Sequence, residues 1–343
     1  MMTDARCLTS DGCPSILITG ASGFVGSHLV ELALAKGFEV WAAVRAASSR
    51  RWLADERINI IVLSLNDVAA LRGEIEAFVD QHGGKGWDYV VHVAGATKAR
   101  SEVDFMRSNC EATENLATTL LNLNVAPRRF VLMSSLSAVP MAGGFPVEGQ
   151  APTAYGRSKM AAEECLLALS PRLDYVVLRP TAVYGPRDKD LYLVAKSVRG
   201  GMSLSVGRKP QHLTFIYVND LCEAALLALT KGRSGAVYQL SDGRTYSSSD
   251  YCQLLQHELG VRRVMHIVAP LWLVKGVCYA SEWLSHITGS MIVLNIDKYN
   301  LLKQRDWSCD IHAAQSELGF EPRTALAEGV AKSVAWYKQQ KWI

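Results

Sequence analysis

Near its start the chain carries the stretch ILITGASGFVG, residues 16–26. The apolar residues 16–18 lead directly into glycines at positions 20, 23 and 26. This spacing suits a strand that turns sharply into a helix, with backbone N–H groups aimed at a pyrophosphate. Gly20 would make the tight turn, Gly23 would leave room for a phosphate, and Gly26 would let the helix pack close to the sheet. The stretch therefore predicts a dinucleotide-binding turn, with a plain strand–turn–helix as the alternative.

The composition is that of an ordinary globular protein. Of 343 residues, 49% are hydrophobic and 20% are charged, enough for one large domain or two that share a core. The net charge is +3 and there is no dense Lys/Arg block, so nucleic-acid binding is not expected. Residues 1–14 are polar and lack the apolar core of a signal peptide, which predicts a flexible tail.

Eight cysteines are scattered along the chain without a CxxC pair. Several fall within apolar, helix-like patterns. We interpret them as reduced, buried thiols of a cytoplasmic protein, and we expect no metal site.

Residues 267–284 are rich in Val, Leu and Trp, but Lys275 and Glu282 interrupt them. The apolar run is shorter than the roughly 20 residues that a membrane span requires, so no integral membrane segment is expected. The pattern predicts an amphipathic helix that lines a substrate pocket or contacts a partner. Peripheral membrane contact is a further alternative.

Short apolar runs alternate with longer amphipathic ones through the first half of the chain. Runs without internal polar alternation indicate strands buried on both faces, and their alternation with helices predicts a doubly wound parallel sheet of the Rossmann type. The predicted strands are 15–19, 39–44, 59–63, 89–94, 129–134, 175–178 and 236–240, and the predicted helices are 25–36, 68–79, 107–123 and 155–169. We expect a nucleotide-binding domain of residues 15–180 with about 215–243. Residues 181–214 and 244–343 would form a smaller, mostly helical substrate lobe.

Ser134 and Ser135 end one predicted strand, and Tyr155 and Lys159 open the next helix. Residues four apart share a helical face, so the phenol and the ammonium would point into one cleft. A neighbouring ammonium lowers the pKa of a phenol, and a tyrosine so tuned transfers protons near neutral pH. YxxxK occurs four times, at Tyr155, Tyr192, Tyr299 and Tyr337. Only the first match follows a Ser-Ser strand end in the parallel-sheet half, which selects it.

In the order of its motifs the chain resembles the extended short-chain dehydrogenase/reductase family, also called the NAD-dependent epimerase/dehydratase group. The resemblance covers residues 15–340. It is carried by TGASGFVG (19–26), HVAG (92–95), Asn109, Ser134-Ser135, YxxxK at 155–159, LRPTAVYGP (178–186), FIYVND (215–220) and ELGFEP (317–322).

The resemblance implies a role for each matching position. Tyr155 would be the acid/base, Lys159 would hold the nicotinamide ribose, and Ser135 would orient the substrate oxygen. Asn109 would be a supporting residue, with a buried hydrogen-bonding side chain as its alternative. The residues expected to contact the cofactor are Gly20, Ser22, Gly23, Phe24, Val25, Gly26, Arg45, Ala94, Gly95, Tyr155, Lys159 and Pro180. A homodimer is also expected.

Arg45 stands about 20 residues after the glycine turn, where an Asp or Glu would bind the ribose of NAD. An arginine there can pair with a 2′-phosphate, which favours NADP(H), with help from Arg50 or Arg51; NAD(H) remains an alternative. Ser64 occupies the place where the family often has an adenine-contacting Asp.

At two places the chain departs from motifs of the family, and these departures narrow the range of expected reactions. Leu136 and Ser137 stand where dehydratases of the family carry an acidic pair, which argues against sugar dehydration. Residues 212–214 (His-Leu-Thr) stand where nucleotide-sugar epimerases usually place an arginine. In residues 40–45 followed by Ser48 and Ser49, and in the region of Tyr217 and Val218 without that arginine, the chain looks more like the branch of 3β-hydroxysteroid dehydrogenases and dihydroflavonol reductases.

We therefore predict an NAD(P)-dependent oxidoreductase that interconverts a secondary alcohol and a ketone on a largely apolar small molecule. The alternatives are a nucleotide-sugar epimerase with tightly bound NAD and a non-catalytic NADP sensor.

Overall fold

The computed structural model describes residues 13–142, 144–207, 211–288 and 296–343, without the side chains of 282–288 and 296–298. Most of the expected N-terminal tail, residues 1–12, lies outside the described residues. Only Cys13 and Pro14 of that tail fall within them, directly before the first strand.

The strands alternate with helices along the first two thirds of the described chain. The strands are β1 (Ser15–Thr19), β2 (Glu39–Val44), β3 (Asn59–Val62), β4 (Tyr89–His92), β5 (Arg129–Met133), β6 (Met141–Ala142), β7 (Phe145–Pro146), β8 (Tyr175–Pro180), β9 (Ala182–Tyr184), β10 (Met202–Val206), β11 (Phe215–Tyr217), β12 (Val237–Leu240) and β13 (Met265–Ala269).

The α-helices are α1 (Phe24–Ala35), α2 (Val68–Gln81), α3 (Glu102–Phe105), α4 (Ala112–Asn122), α5 (Ala154–Leu169), α6 (Asp190–Arg199), α7 (Val218–Leu227), α8 (Ser248–Leu259), α9 (Leu271–Thr288), α10 (Ile296–Lys303) and α11 (Leu326–Gln339). A π-helical turn, Met106–Glu111, joins α3 to α4, and a second one spans Ala314–Leu318. A 3₁₀ turn, Leu136–Ala138, follows β5.

Seven strands within the described ranges form one parallel sheet in the order β12-β8-β5-β4-β1-β2-β3. Side chains alternate across each strand, so that Ile16 and Ile18 pack with α1 and α7 on one face while Leu17 packs with α2, α4 and α5 on the other. Both faces are therefore buried under helices, which confirms the predicted doubly wound, Rossmann-type fold.

The predicted element boundaries agree best where glycines or turns punctuate the sequence. β1 and β2 have the predicted ends, and Gly37, with a φ of +87°, ends the helix before β2. β4 ends at His92, two residues earlier than predicted, because Ala94 turns its N–H toward the Thr19 side chain. The helix predicted from 107 starts earlier, at Glu102, and contains the π-helical turn.

The remaining segments pack beyond β8. They contain helices α6, α8, α9, α10 and α11, as expected for a mostly helical lobe, but also strands: β9 pairs with β11, and β10 pairs with β13. The single amphipathic helix predicted for 267–284 is wrong at its start, because residues 267–269 belong to β13. The proline at position 270 separates this strand from α9.

Seven of the eight cysteines lie in the part of the chain that the structure describes, and all seven are free thiols. Cys110, Cys222, Cys252 and Cys278 are buried as expected, whereas Cys13 is exposed. The sulfurs of Cys110 and the half-buried Cys165 lie 3.4 Å apart, where the π-helical turn packs on α5.

None of the described helices is both long enough and apolar enough to cross a bilayer.

Gly26 should tolerate no side chain. A Cβ at this position would lie 2.2 Å from the carbonyl oxygen of Gly20, a backbone atom that cannot swing away. We expect Gly26→Ala to lower the free energy of unfolding by about 1–3 kcal/mol, measured by chemical denaturation.

Gly73 provides the matched control, because it lies inside α2 with no atom within 4 Å of an added Cβ. Gly73→Ala should raise the free energy of unfolding by about 0.5–1 kcal/mol, since alanine loses less backbone entropy in a helix. Equal effects of the two substitutions would contradict the close approach at Gly26.

Candidate active site

The candidate site lies along the carboxyl edge of the parallel sheet. β1 and β4 are neighbours at the centre, and the chain leaves them toward opposite sides, so a crevice opens between them. The glycine turn follows β1, Arg45 follows β2, Ala94 and Gly95 follow β4 closely, and Ser135 follows β5. Most of the residues predicted from separate motifs thus meet at one edge.

The glycine turn has the shape that a dinucleotide requires. Gly20 adopts a φ of +65°, and a Cβ there would lie 2.8 Å from the backbone nitrogen of Ala94. Gly23 is the N-cap residue of α1, and no side chain caps the helix there. The first backbone N–H groups of α1 therefore stay unbonded at the helix N-terminus. Ser22, Phe24 and Val25 are half-buried around them. These bare backbone groups fit a pyrophosphate.

A buried polar contact joins the ends of β1 and β4. The Thr19 hydroxyl lies 2.9 Å from Nδ1 of His92 and accepts a hydrogen bond of 3.1 Å from the N–H of Ala94. Burial and the Lys159 ammonium lower the pKa of His92 to about 3, so the ring stays neutral. This contact holds Gly20 and Ala94 against each other.

Ser135 and Tyr155 come together where α5 begins. Thr153 caps the helix by accepting the N–H of Gly156 at 3.0 Å. A Cβ on Gly156 would lie 2.1 Å from the carbonyl oxygen of Ser137, so the glycine lets the first turn of α5 press against the 3₁₀ turn after β5. As a result the side chains of Tyr155 and Ser135 are hydrogen-bonded to each other.

Lys159 lies one turn further along α5, and its ammonium is buried. Nζ donates to the carbonyl oxygen of Met133 at 2.9 Å. A Cβ on Gly95 would lie 3.0 Å from Nζ and 2.6 Å from Oδ1 of Asn109, so only glycine fits between them. Ser135, Tyr155 and Lys159 are therefore assembled by β5, α5 and the loop after β4.

Asn109 ties that loop to α5. Its Oδ1 accepts from the N–H of Ala96 at 2.7 Å, and its Nδ2 donates to the Ala96 carbonyl and to Oγ of Ser158, at 3.1 and 2.8 Å. The residue lies in the π-helical turn, a feature often found at functional sites. It is a buried, fully bonded side chain that also supports the site, which unites the two alternatives considered for it.

The electrostatics of Tyr155 differ from the sequence-based expectation. Burial raises the pKa of Tyr155, and the Ser135 hydrogen bond offsets this only in part. Lys159 does not lower it here, because its ammonium turns to Met133 and burial lowers the pKa of Lys159 itself to about 8. In this arrangement Tyr155 holds its proton at neutral pH.

Sequence reasoning missed two charged residues behind the site. Glu163 follows Lys159 by four positions on α5 and forms a buried, bidentate ion pair with Arg179 of β8, with Nε 3.0 and 3.2 Å from the two carboxylate oxygens. Ser134 also donates to Glu163, so Ser134 faces away from the Ser135–Tyr155 pair. Glu163 raises the pKa of Lys159 and so favours its charged form. The i, i+4 spacing from Lys159 was the signal for Glu163.

The other three YxxxK matches lie elsewhere. The Tyr192 hydroxyl donates to the carbonyl of Trp342 at 2.6 Å, and that of Tyr337 donates to the carbonyl of Gly185 at 3.4 Å. Lys341 lies beyond α11 with a φ of +56°, off the helical face of Tyr337. Tyr299 lies on α10, in the segment after α9.

Arg45 stands exposed at the end of β2, beside the glycine turn, and its guanidinium makes no ion pair with any residue that the structure describes. Arg51, by contrast, stacks on Trp52 at 4.5 Å and donates to Gln340 at 3.0 Å. Ser64 turns its hydroxyl to Glu74 of α2, at 2.7 Å. Arg50 is likewise exposed, and its guanidinium makes no ion pair with any described residue, so Arg45 and Arg50 are the two cations near the adenosine end with a guanidinium available to a ligand.

Comparison with known proteins identifies the family. Residues 16–241 match the model of the NAD dependent epimerase/dehydratase family. The chain belongs to this family. Its seven-stranded parallel sheet covered by helices agrees with this membership, because extended short-chain dehydrogenase/reductase enzymes have a Rossmann-type fold.

Relatives within the family differ in reaction. A ceramide reductase of Caulobacter vibrioides is 27% identical over 346 residues, which cover 100% of this chain and 98% of the relative. A dTDP-glucose 4,6-dehydratase of Actinoplanes sp. is 25% identical, covering 95% and 98%. The crystal structure of a UDP-glucose 4-epimerase with UDP-glucose from Thermotoga maritima is 21% identical, with a TM-score of 0.74 and coverage of 95% and 99%. Family membership therefore establishes that the protein belongs to an NAD-dependent class of enzymes. The reaction itself has to be inferred from the residues of the site.

The Glu163–Arg179 pair should contribute far more to the free energy of unfolding than an exposed ion pair does. Removing one partner leaves a buried charge uncompensated, so Glu163→Gln should lower the free energy of unfolding by about 3–5 kcal/mol. The double variant Glu163→Gln/Arg179→Met should recover a large part of this loss. Chemical denaturation of both single variants and the double variant measures the coupling, and strictly additive losses would contradict it.

Proposed function

We propose that the protein is an oxidoreductase that interconverts a secondary alcohol and a ketone on a largely apolar small molecule, with NADP(H) as the preferred cofactor. The observation that carries this proposal is the hydrogen-bonded Ser135–Tyr155 pair with the buried Lys159 ammonium one turn further along α5. The nicotinamide, when bound, would supply or accept the hydride.

Each of the three side chains would have a distinct task. The Tyr155 hydroxyl, protonated because burial raises its pKa, would give its proton to the substrate oxygen during reduction. The Ser135 hydroxyl would donate a hydrogen bond to the same oxygen and hold it beside Tyr155. Lys159, held by Met133, would hold the nicotinamide ribose.

An apolar wall next to Ser135 supports an apolar substrate. Leu136, Val139 and Met141 are buried there, and Met160 and Trp307 pack against them. Leu136 and Ser137 offer no carboxylate for eliminating water. One relative, the ceramide reductase of Caulobacter vibrioides, is named for a lipid, which also fits a lipid-like substrate.

We propose further that residues 15–180 with 215–243 bind the dinucleotide, that 181–214 and 244–343 shape the substrate pocket, and that the protein is a homodimer. The site residues from Gly20 to Pro180 support the first assignment through their common edge of the sheet. Trp307 supports the second, because this residue of the C-terminal segment packs on the cluster of Leu136, Val139 and Met141.

Replacing the Tyr155 hydroxyl should abolish turnover while leaving the cofactor in place. In Tyr155→Phe the ring can still pack near Phe105, 5.9 Å away, but the proton donor is gone. We expect kcat to fall at least about 100-fold, the usual contribution of a positioned acid/base, with cofactor Kd within about twofold.

Tyr299→Phe is the matched control, since Tyr299 heads another YxxxK match outside the candidate site and should leave kcat unchanged. A turnover assay with NADPH and apolar ketones, together with cofactor titration, measures both variants. An active Tyr155→Phe enzyme would refute the assignment. Purification with tightly held NAD and no net redox change would instead favour the epimerase alternative.

Arg45 should decide between the two dinucleotides. A guanidinium paired with a 2′-phosphate contributes about 1.5–3 kcal/mol, so Arg45→Asp should weaken NADPH binding at least about tenfold while NADH binding is kept or improved. Arg72→Asp on the exposed side of α2 makes the same charge change away from the site and should alter neither affinity. Fluorescence titration with each cofactor measures the ratio; unchanged affinities in Arg45→Asp would show that Arg45 does not bind the cofactor.

A further inference from the structure

Exposed hydrophobic side chains concentrate on one part of the lobe. Of the seventeen large hydrophobic side chains that are exposed among the described residues, nine come from two strands and one helix, β10, β13 and α9. They are Met202, Leu204, Met265, Ile267, Val268, Trp272, Leu273, Val277 and Tyr279. Val268 lies on the other side of β13 from Met265 and Ile267, so we call the other eight residues the apolar face.

The two strands contribute a continuous patch. In their parallel pairing Met202 lies opposite Met265, and Leu204 lies opposite Ile267. Alternate residues share one side of a sheet, so these four side chains are neighbours on the same side. Leu204 is 63% exposed and Met265 60%, which no buried or half-buried sheet face would show.

Helix α9 continues the face with residue types that suit an interface between water and lipid. The helix packs against α10, and Cys278 is buried. Its outer side carries Trp272, Lys275 and Tyr279, spaced three and four residues apart. Trp272 is 74% exposed, and the Lys275 ammonium lies 5.8 Å from the centre of the Tyr279 ring. Trp, Tyr and Lys are the side chains that place an apolar body in lipid and a polar tip in water.

The charge around the apolar face is one-sided. The segments 191–207 and 259–281, which contain its strands and the described side chains of α9, hold five Lys or Arg residues and no Asp or Glu. Because the whole chain has a net charge of +3, everything outside these segments has a net charge of −2. The segments that carry the exposed hydrophobic residues thus hold an excess of positive charge.

We propose that the apolar face docks the protein on the surface of an anionic phospholipid bilayer. The hydrophobic side chains would enter the headgroup region, and the flanking cations would contact lipid phosphates. This is interfacial docking, consistent with the finding that none of the described helices could span a bilayer. A second copy of the chain is the poorer occupant, because a symmetric contact through this face would bring two sets of five cations together.

The apolar face is connected to the candidate pocket. The carbonyl of Val206, the last residue of β10, accepts a hydrogen bond of 2.9 Å from Nη1 of Arg305. Two residues further along, Trp307 packs against the cluster of Leu136, Val139 and Met141, which follows Ser135 in the chain. Docking would therefore bring the wall of the pocket close to the bilayer, where an apolar substrate concentrates. This last consequence, unlike the docking itself, rests on the proposed function.

Vesicle binding tests the docking directly. Wild-type protein should float with vesicles of phosphatidylcholine and phosphatidylglycerol and bind pure phosphatidylcholine much more weakly. Leu204→Ser/Trp272→Ser should weaken the partition at least about tenfold, since each buried apolar side chain contributes more than 1 kcal/mol. Arg262→Glu/Arg263→Glu should weaken it to a similar degree at low salt, with a smaller effect at high salt.

Val68→Ser is the matched control, because Val68 is an exposed hydrophobic residue on α2 outside the apolar face; it should bind like wild type. Thermal unfolding of every variant separates loss of docking from loss of fold. Tyr155→Phe should bind vesicles normally, which keeps this test independent of the proposed reaction.

Three outcomes would overturn the proposal. One is a wild-type protein that binds neither type of vesicle. Another is equal binding by wild type and Leu204→Ser/Trp272→Ser. The third is a dimer that this double variant converts to monomer while vesicle binding stays absent, which would make the face an interface between copies of the chain.

Discussion

Burying the Lys159 ammonium is the constraint on which the site depends. A charge taken out of water needs oxygen partners and a nearby opposite charge. The structure provides the first through the Met133 carbonyl and the second through Glu163, which is itself held by Arg179. These partners come from β5, α5 and β8, so satisfying one ammonium fixes how the helix lies across two neighbouring strands of the sheet.

The same requirement explains why small residues surround the site. Gly95 lets the loop after β4 reach Lys159 and Asn109, and Gly156 lets the start of α5 press against the turn that carries Ser135. At either position a methyl group would push the backbone away and separate the three polar side chains. Close backbone approach, rather than flexibility, is what these glycines supply.

Much of the fold and of the candidate site could be predicted from the sequence, because these features depend on local sequence patterns. The strand–turn–helix at 16–26, the alternation of strands and helices, and the choice of Tyr155 among four YxxxK matches all depend on residues close together in the chain. The family membership confirmed the class of enzyme. Arg179 was visible only as part of a motif, since its partner Glu163 lies on another element, and the bond between them depends on how β8 and α5 pack.

The lobe was less predictable for a related reason. Strands β10 and β13 are separated by 58 residues and pair in only a two-stranded sheet, so neither shows the buried, continuous pattern of the central strands. The side chains of β10 and β13 read as ordinary hydrophobic residues in the sequence. Their exposure, and hence the apolar face, appears only when the two strands are placed side by side with nothing described above them.

The position of β12 has a mechanical consequence. This strand lies beside β8, although the chain between them, residues 181–236, passes through the lobe before it returns. The lobe is thus tethered twice to one edge of the sheet, and a third time by the chain that leaves β12. The lobe is also held on the other side of the crevice: the Arg187 guanidinium donates to Ser27 of α1 at 3.0 Å, and Trp336 of α11 packs on Trp52 after β2. The crevice therefore lies between two sets of contacts, and bending the chain at β8 and β12 alone cannot displace the lobe.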